Sequence, residues 1–407
     1  MRKTIVIGGG ASGLIAACVS AEKGNKVTLI EKNEKLGKKI YITGKGRCNL
    51  TNDVLFLDFF NNVVSNPKFL YSSISSFSPQ ETMVFFEKNG LTLKTERGNR
   101  VFPASDKASD VTKTLEKVLK KNNVNILLET TVVDILTEKG EMTGVKLENG
   151  EVLFADSVIV CCGGLSYPLT GSTGEGYDFA RKFGHSIVEP KPGLVGIELK
   201  GNDFGEMQGL SLKNVSISAV VGQKKLYSDF GEMLFTHFGV SGPIILSCSS
   251  VINRRDLNNV DLIIDLKPAL SETILEERLL REFKENNLKE ITSVMRSLLP
   301  KTIISCVLRQ AMIKPAKKCC EITVIERQNL ITSLKGLRFK MKKLRPIEEA
   351  IITAGGVNVK EINPKTMESK LQKGLFFAGE VIDVDAFTGG FNLQIAFSTG
   401  FVAGKNS

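Results

Sequence analysis

The sequence predicts an α/β protein whose first domain is interrupted by an inserted domain rich in β-strands. Residues 4–30 read as an apolar strand, a glycine-rich turn, a helix and a second apolar strand. From about residue 190 the pattern changes to short strand-like segments between glycine turns, and after residue 345 the buried, glycine-punctuated pattern returns. We therefore expect one domain from residues 1–190 plus 346–407, and an inserted domain over residues 191–345.

Composition agrees with a folded protein of two or three domains. The chain has 407 residues, of which 42% are hydrophobic and 24% charged, and this excludes disordered, collagen-like and coiled-coil proteins. Eight cysteines without a CxxC pair and only two histidines argue against a disulfide framework and a structural metal site. No apolar run of about 20 residues is present, and the N-terminal apolar stretch lacks a cleavage pattern. We expect a cytoplasmic protein that does not bind membranes.

The elements of the first domain follow in order along the chain. Residues 4–7 form a buried strand, residues 12–23 a helix that Gly24 ends, and residues 27–30 a second buried strand. Ser78, Pro79 and Glu81 begin a helix that ends at Gly90, and another helix fits residues 108–122. The segments 124–128, 131–136 and 144–147 predict a three-stranded antiparallel excursion before the buried strand 157–161.

The inserted domain reads as β-rich with a small helical part. Residues 214–221 are typical of its short strands, whereas residues from 271 to about 313 are helical and charged. We expect this helical subdomain to interrupt the strands of the insert.

The glycine-rich turn predicts a dinucleotide site. Gly8, Gly10 and Gly13 form a GxGxxG pattern between a strand and a helix, where glycines permit a tight turn and close approach of a pyrophosphate. Glu31 ends the next strand, where its carboxylate can accept hydrogen bonds from both hydroxyls of an adenosine ribose.

The C-terminal part of the chain favours FAD over NAD as that dinucleotide. An apolar strand ends in Ala378, Gly379 and Glu380, whose acid can reach a ribityl chain beside the first strand–helix–strand unit. Residues 389–394 then open a last helix, whose N–H groups can stabilise negative charge at flavin N1 and O2. A plain dehydrogenase needs no such pair of motifs at opposite ends of its chain.

The chain resembles a bacterial family of FAD-dependent flavoproteins within the two-dinucleotide-binding-domain superfamily. The family includes aminoacetone oxidase-like enzymes, NAD(P)/FAD-dependent oxidoreductases and clostridial bile-acid 3-oxo-Δ4 reductases. The resemblance covers nearly the whole chain and rests on residues 36–39, 44–52, 102–110, 163–168, 170–176, 234–237, 353–357 and 379–385. It implies a Rossmann-like FAD-binding domain interrupted by a β-barrel-like insert with a small helical subdomain, the insert serving as substrate domain.

The motifs and the resemblance together assign a set of residues to noncovalent FAD binding. These cofactor-binding candidates are Gly8, Gly10, Ala11, Ser12, Gly13, Glu31, Lys32, Lys39, Arg47, Asn49, Val133, Gly163, Gly164, Gly379, Glu380, Asp385, Gly390, Asn392 and Leu393.

Several relatives of such flavoproteins are excluded by the sequence. A dithiol relay needs CxxxxC, but Thr43 and Asp53 occupy the partner positions of Cys48. Neither histidine lies near the glycine-rich segments, which argues against a histidyl-linked flavin. No second GxGxxG follows a strand, so either NADH or NADPH is a transient electron donor or the organic substrate reduces the flavin.

Candidates for acid–base catalysis are few. His237 precedes a glycine turn and could donate a proton over the flavin, although satisfying turn carbonyls is an alternative role. Tyr167 could line the substrate cavity or simply pack. His185 follows Gly184 at the end of a helix and is expected to be structural.

The positive charge is concentrated in the inserted domain. Residues 289–345 contain 14 Lys and Arg but three acids, an excess of 11 in a chain whose net charge is +10. This segment could attract nucleic acid, an acidic membrane or an anionic small molecule, or it could be a solvated face. Because Phe339 is its only aromatic residue, stacking of single-stranded bases is not expected, and we predict no specific nucleic-acid partner.

The sequence thus predicts an FAD-dependent oxidoreductase that transfers hydride between flavin N5 and a small or medium organic substrate. An NAD(P)H-linked reductase is the favoured form, and an O2-dependent amine or aminoketone oxidase is the alternative. An RNA-interacting flavoprotein is the alternative from another class. Substrate and oligomeric state stay open.

Overall fold

The computed structural model describes residues 1–202 and 204–407 and divides them into two compact units. The first unit comprises Met1–Gly193 and Ile347–Ser407, and the second comprises Leu194–Pro346. In the part of the chain so described, no helix is both long and apolar enough to cross a membrane.

The strands of the described residues are β1 (Lys3–Ile7), β2 (Lys26–Ile30), β3 (Thr51–Asn52), β4 (Val63–Ser65), β5 (Leu93–Glu96), β6 (Arg100–Pro103), β7 (Asn125–Leu127), β8 (Val132–Glu138), β9 (Glu141–Leu147), β10 (Val152–Phe154), β11 (Ser157–Val160), β12 (Ile187–Gly193), β13 (Ile197–Leu199), β14 (Ser211–Val221), β15 (Lys224–Thr236), β16 (Gly239–Ser241), β17 (Asp261–Asp265), β18 (Leu337–Leu344), β19 (Ile352–Val357), β20 (Leu375–Phe377) and β21 (Asp385–Ala386).

The α-helices are α1 (Ala11–Glu22), α2 (Lys38–Ile42), α3 (Phe56–Phe60), α4 (Tyr71–Ser76), α5 (Pro79–Lys88), α6 (Ala108–Lys121), α7 (Glu175–Lys182), α8 (Pro243–Ile252), α9 (Glu272–Glu285), α10 (Ile291–Val294), α11 (Lys301–Gln310), α12 (Val324–Lys335) and α13 (Phe391–Asn406). Short 3-10 turns connect several of them.

The first unit is built on a parallel sheet with the strand order β20-β11-β1-β2-β7. The strands β1, β11 and β20 are apolar and almost fully buried, as in a parallel sheet covered by helices. Helices α1 and α13 approach closely, since a Cβ at Gly400 or Gly404 would lie 2.3 Å from the carbonyl oxygen of Ser12 or Ala16. This sheet confirms the predicted Rossmann-like α/β fold.

One element of the sequence prediction needs correction. The predicted antiparallel excursion began with residues 124–128, but β7 pairs in parallel with β2 and belongs to the main sheet. The antiparallel sheet consists of β8, β9 and β10. The strand β10 was missed because its three residues are all apolar and too few to show an alternating pattern.

The second unit contains a closed antiparallel barrel with the strand order β13-β16-β15-β14-β17-β18. The β18 strand shows why the barrel closes around an apolar interior: Leu337, Phe339 and Met341 are buried, whereas the residues between them are exposed. Helices α9 to α12 contribute to the same core. A barrel with helices agrees with the predicted fold class, although α12 lies beyond the range expected for the helical subdomain.

Candidate FAD site

The turn between β1 and α1 provides a cradle for an anionic group. A Cβ at Gly8, whose φ is +100°, would lie 2.5 Å from the Cys161 carbonyl oxygen, and one at Gly13 would lie 1.9 Å from the Gly8 carbonyl oxygen. These two glycines are therefore required by backbone packing. A Cβ at Gly10 would meet nothing within 4 Å, so open space lies beside the first turn of α1. The N–H groups and positive dipole end of this 12-residue helix suit a pyrophosphate there.

Glu31 is fixed next to this turn by hydrogen bonds. Its Oε2 accepts from the Gly9 N–H at 2.7 Å, and its Oε1 accepts from the backbone N–H and the Nδ2 of Asn33 at 2.9 and 2.6 Å. A carboxylate has about four acceptor positions, and these bonds occupy two on Oε1 and one on Oε2, so one position on Oε2 is left. The buried Glu31 is therefore oriented, and its Oε2 can still accept from a ribose hydroxyl.

Two candidates near Glu31 have other surroundings. The Lys32 Nζ donates to Thr173 Oγ1 at 2.5 Å and forms an ion pair with Glu175. This pairing lowers the pKa of Glu175 against the opposing effect of burial. Val133 lies on β8 with 47% of its surface exposed. Val133 is thus exposed, whereas the Lys32 ammonium is held by Thr173 and Glu175, and the contacts of both residues with FAD stay a proposal.

Glu380 is the centre of a second polar cluster. The acid follows β20, and its Oε1 accepts from Ser166 Oγ at 2.8 Å and from the Thr353 N–H at 2.7 Å. Its Oε2 lies 2.6 Å from Lys39 Nζ, which also donates to Ser166 Oγ at 2.6 Å. The ion pair keeps about a fifth of each side chain exposed, so a hydroxyl-bearing chain can reach it.

Gly163 and Gly164 position this cluster. Gly163 has a φ of +73°, and a Cβ at Gly164 would lie 2.3 Å from Thr353 Oγ1. That oxygen accepts from the N–H groups of Leu165 and Ser166 at 2.8 and 3.0 Å. Sequence reasoning did not assign Ser166 or Thr353 a role, although both lie in motifs that carry the family resemblance.

The loop before β3 is conformationally strained. Gly44, Lys45, Gly46 and Cys48 all have φ between +57° and +83°, and two of them are not glycine. Within the described residues, the buried Oδ1 atoms of Asn49 and Asn52 have no hydrogen-bond partner. Strain and unsatisfied polar atoms together are typical of ligand sites. A flavin ring, which carries both donors and acceptors at its edge, would satisfy such amide oxygens.

Arg47 lies in the same loop but is held by carboxylates. Its guanidinium forms ion pairs with Glu96 and Asp106, and it stacks 4.2 Å from the centre of the Phe102 ring. These bonds raise the pKa of Arg47 and lower the pKa of both acids. The structure therefore shows Arg47 fixing the loop to β5 and β6, while its predicted contact with FAD stays a proposal.

The N-terminus of α13 lies close to β3. A Cβ at Gly390, whose φ is +102°, would lie 2.4 Å from the Thr51 carbonyl oxygen. The Asn392 side chain accepts from the Ala386 N–H at 2.9 Å and donates to the Ala386 carbonyl at 2.8 Å, so it holds the preceding loop. Asp385 is buried in that loop, and Leu393 packs against the core. The 16-residue helix thus has a fixed, glycine-lined N-terminus.

Thiol chemistry does not fit this site. All eight cysteines are free, and Cys48 is fully buried beside the strained loop. Burial raises the pKa of the Cys48 and Cys161 thiols to about 12, so both stay protonated and unreactive at neutral pH. Within residues 1–202 and 204–407, no cluster of three metal-ligating side chains occurs.

The acid–base candidates lie in different parts of the chain. His237 is exposed in the turn between β15 and β16 of the barrel unit, with its ring edge-on to Phe238 at 5.1 Å. Tyr167 belongs to the first unit and is half-buried with a left-handed φ of +53°. His185 is buried, pairs with Ser369 Oγ at 2.7 Å and has a pKa lowered by burial, as suits a structural residue.

The chain matches one family model and is similar to several known proteins. The family model described as the HI0933-like protein Rossmann domain matches residues 2–406. A 3-dehydro-bile acid delta(4,6)-reductase of Clostridium scindens is 31% identical over 100% of this chain and 98% of its own. A ribosomal RNA dihydrouridine synthase of Escherichia coli is 29% identical over 99% and 97%. The fold resembles the 3-ketosteroid delta1-dehydrogenase of Sterolibacterium denitrificans, with a TM-score of 0.53, 13% identity and 99% coverage of both chains.

Proposed function

The chain belongs to the HI0933-like Rossmann family, and on this premise we propose that it reduces a carbon–carbon double bond conjugated with a carbonyl group. It is an FAD-dependent oxidoreductase, in agreement with the family and with the glycine cradle, the oriented Glu31 and the Glu380 cluster.

The proposal is supported by the reactions of two relatives that are similar to this chain over nearly its whole length. A delta(4,6)-reductase of 3-dehydro bile acids and a ribosomal RNA dihydrouridine synthase have different substrates but related chemistry. In a 3-oxo-Δ4,6 steroid and in uracil, the double bond that is reduced is conjugated with a carbonyl group. The reaction adds a hydride to the carbon remote from the carbonyl and a proton to the carbon beside it. A chain similar to both relatives over its whole length is therefore proposed to perform this addition.

The residues of the candidate site have separate roles in this proposal. The first turn of α1 beside Gly10 binds the pyrophosphate, and Glu31 binds the adenosine ribose. The cluster of Lys39, Ser166 and Glu380 binds the ribityl chain. The N–H groups of α13 stabilise negative charge on the flavin ring. When bound, FAD would supply the hydride from N5.

The proton that completes the reaction must come from a side chain or from water. His237 and Tyr167 are the proposed donors, because imidazole and phenol groups can both deliver a proton to a forming enolate. The exposure of His237 gives it access to solvent protons, and Tyr167 is half-buried in the first unit. Replacing each residue separately distinguishes them, since only loss of the true donor lowers turnover without lowering FAD affinity.

The electrons are proposed to come from NADH or NADPH. Anaerobic mixing of the flavoprotein with either nicotinamide should bleach the flavin within the turnover time. Bleaching by an amine but by neither nicotinamide would instead support the amine oxidase alternative.

The test of the proposal uses two acceptors. The enzyme, NADPH and a 3-oxo-Δ4 steroid are incubated anaerobically, and the saturated ketone is measured by mass spectrometry. Ribosomal RNA transcribed in vitro is incubated likewise and digested, and dihydrouridine is measured in the nucleosides. Saturation of at least one substrate supports the proposal, whereas saturation of neither by an enzyme whose flavin is reduced contradicts it.

A further inference from the structure

A strongly basic surface lies on the outside of the barrel, where the strand β18 exposes every second side chain. Arg338, Lys340 and Lys342 alternate with buried residues and are 56–59% exposed at the side chain, and the next residue, Lys343, is 60% exposed. We call these four residues the basic strip. Residues two positions apart in a strand are separated by about 6.8 Å, so the strip presents a regular row of cations.

Two acidic side chains lie beneath the strip but do not neutralise it. Asp261 is 3.1 Å from Arg338 and 2.7 Å from Lys340. Glu198 is 3.7 Å from Lys342 and Lys343, and it also pairs with Arg345 at 2.9 Å. Both acids keep only 10–11% of their side chains exposed, so the four cations of the strip outnumber the two buried carboxylates beneath them. The exposed Lys200 adjoins the strip at its backbone N–H, which donates to the Lys340 carbonyl, whereas its Nζ donates to the Asn258 carbonyl at 3.4 Å.

The character of this surface indicates which anion it fits. The carboxylates orient the ammonium and guanidinium groups and leave outward N–H donors for a polyanion. Phe339 is the aromatic residue of this strand, and it is buried inside the barrel. No aromatic side chain is exposed on β18 itself, so the contacts of the strip's own side chains would be with phosphates.

We infer that the basic strip of the barrel binds the sugar-phosphate backbone of a structured RNA and holds it for reduction of a uracil. The inference rests on the proposed function and selects RNA, in place of a steroid, as the large substrate. It departs from the sequence prediction that this basic segment has no specific nucleic-acid partner. A row of cations several residues long exceeds what a single carboxylate of a small molecule needs, whereas it matches a chain of phosphates. Binding of this kind is set by charge and shape, so it agrees with the absence of base-reading residues.

The test compares two triple variants of the full-length flavoprotein. The first is Lys340→Gln, Lys342→Gln and Lys343→Gln, which removes three charges from the strip. The matched control is Lys213→Gln, Lys224→Gln and Lys225→Gln, which removes three exposed charges from β14 and β15 of the same barrel. Retention of bound FAD and of the melting temperature shows that each variant is folded.

The probe is full-length ribosomal RNA transcribed in vitro, and its affinity is measured between about 50 and 200 mM salt. We expect the strip variant to bind at least about tenfold more weakly, with the slope of log K against log salt reduced by about 2 to 3. The control variant should bind ribosomal RNA with an affinity within about twofold of the parent's. That change is far smaller than the tenfold loss of affinity expected when one strong contact is removed. Equal losses in both variants, or no loss in either, would overturn the inference.

Two further outcomes separate this inference from the proposed function. If the strip variant forms dihydrouridine with the parent's KM for ribosomal RNA, the strip is not the binding surface, although the proposed function stands. If the parent reduces the steroid but never RNA, the RNA assignment fails while the reductase remains. Loss of binding to phosphatidylglycerol vesicles, with RNA binding unchanged, would assign the strip to a membrane and contradict the inference.

Discussion

Replacement of Gly10 by alanine separates FAD binding from folding. Gly10 precedes α1 with φ −82° and ψ −169°, an extended conformation that alanine adopts freely. Its Cβ would meet no atom within 4 Å, so the added methyl group fits the protein itself. The same methyl group would occupy the space in which we place the pyrophosphate.

The expected magnitudes differ strongly between the two effects. Without FAD, alanine loses a little N-cap stability but restricts the unfolded chain, so the free energy of unfolding should change by less than about 1 kcal/mol. With FAD, the methyl group would displace the phosphate from one or two backbone N–H donors. Each such charge-assisted hydrogen bond contributes about 1.5–3 kcal/mol. The affinity should therefore fall by roughly tenfold to a hundredfold for each bond lost.

The assay is a titration of deflavinated protein with FAD, followed by flavin fluorescence, beside a thermal melt of the same protein without FAD. Gly205→Ala is the control, because a Cβ at Gly205 also meets nothing within 4 Å but lies in the barrel unit. A Gly10→Ala variant that binds FAD as tightly as the parent would refute the placement of the pyrophosphate. A variant that melts much earlier without FAD would refute the reasoning about open space.

Three further predictions follow from the contacts. Glu380→Gln removes the negative charge that accepts hydrogen bonds from a lysine and a serine, so FAD affinity measured by calorimetry should fall roughly tenfold to a hundredfold. Glu141→Gln, the same change at an exposed glutamate, should leave FAD affinity unchanged. Equal FAD affinities of the Glu380→Gln variant and the parent would remove Glu380 from the site. Gly13→Ala places a Cβ 1.9 Å from a backbone oxygen, so the melting temperature should drop even without FAD, and an unchanged melt would contradict the close packing. Burial raises the pKa of Cys48 to about 12, so iodoacetamide at pH 8 should alkylate the exposed Cys320 and spare Cys48, as peptide mass spectrometry can check; early labelling of Cys48 would show that the loop opens.

Local rules predicted the parts of the fold that local interactions determine. The strand, turn and helix of residues 3–22 follow from apolar clustering and from glycines whose Cβ positions collide with backbone. The helix α5 begins as the Ser78 capping box requires. The helix α12 carries the same signal, since Thr323 caps the N–H of Glu326, although the sequence prediction ended the helical subdomain at about residue 313.

Long-range contacts were beyond such rules. The pairing of β7 with β2 depends on which edge of the sheet is free, and a five-residue apolar segment does not encode it. Ser166 and Thr353 meet Glu380 from positions 214 and 27 residues away. Ser166 lies in a loop, and Thr353 contributes its backbone N–H from the fully buried strand β19, so neither residue has a periodic pattern that marks such a partner. The ion pairs of the basic strip with Glu198 and Asp261 could not be predicted either, because these two buried acids lie on strands remote from β18 in sequence.

A single-turnover reduction tests the central claim most directly. The FAD of the enzyme is reduced anaerobically with one equivalent of dithionite, so no nicotinamide is needed, and ribosomal RNA or a 3-oxo-Δ4 steroid is then added. We predict that the flavin is reoxidised and that one double bond is saturated for each flavin, with dihydrouridine or the saturated ketone as product. A reduced flavin that stays reduced with both acceptors, but is reoxidised by O2 and reduced again by an amine, would contradict the account.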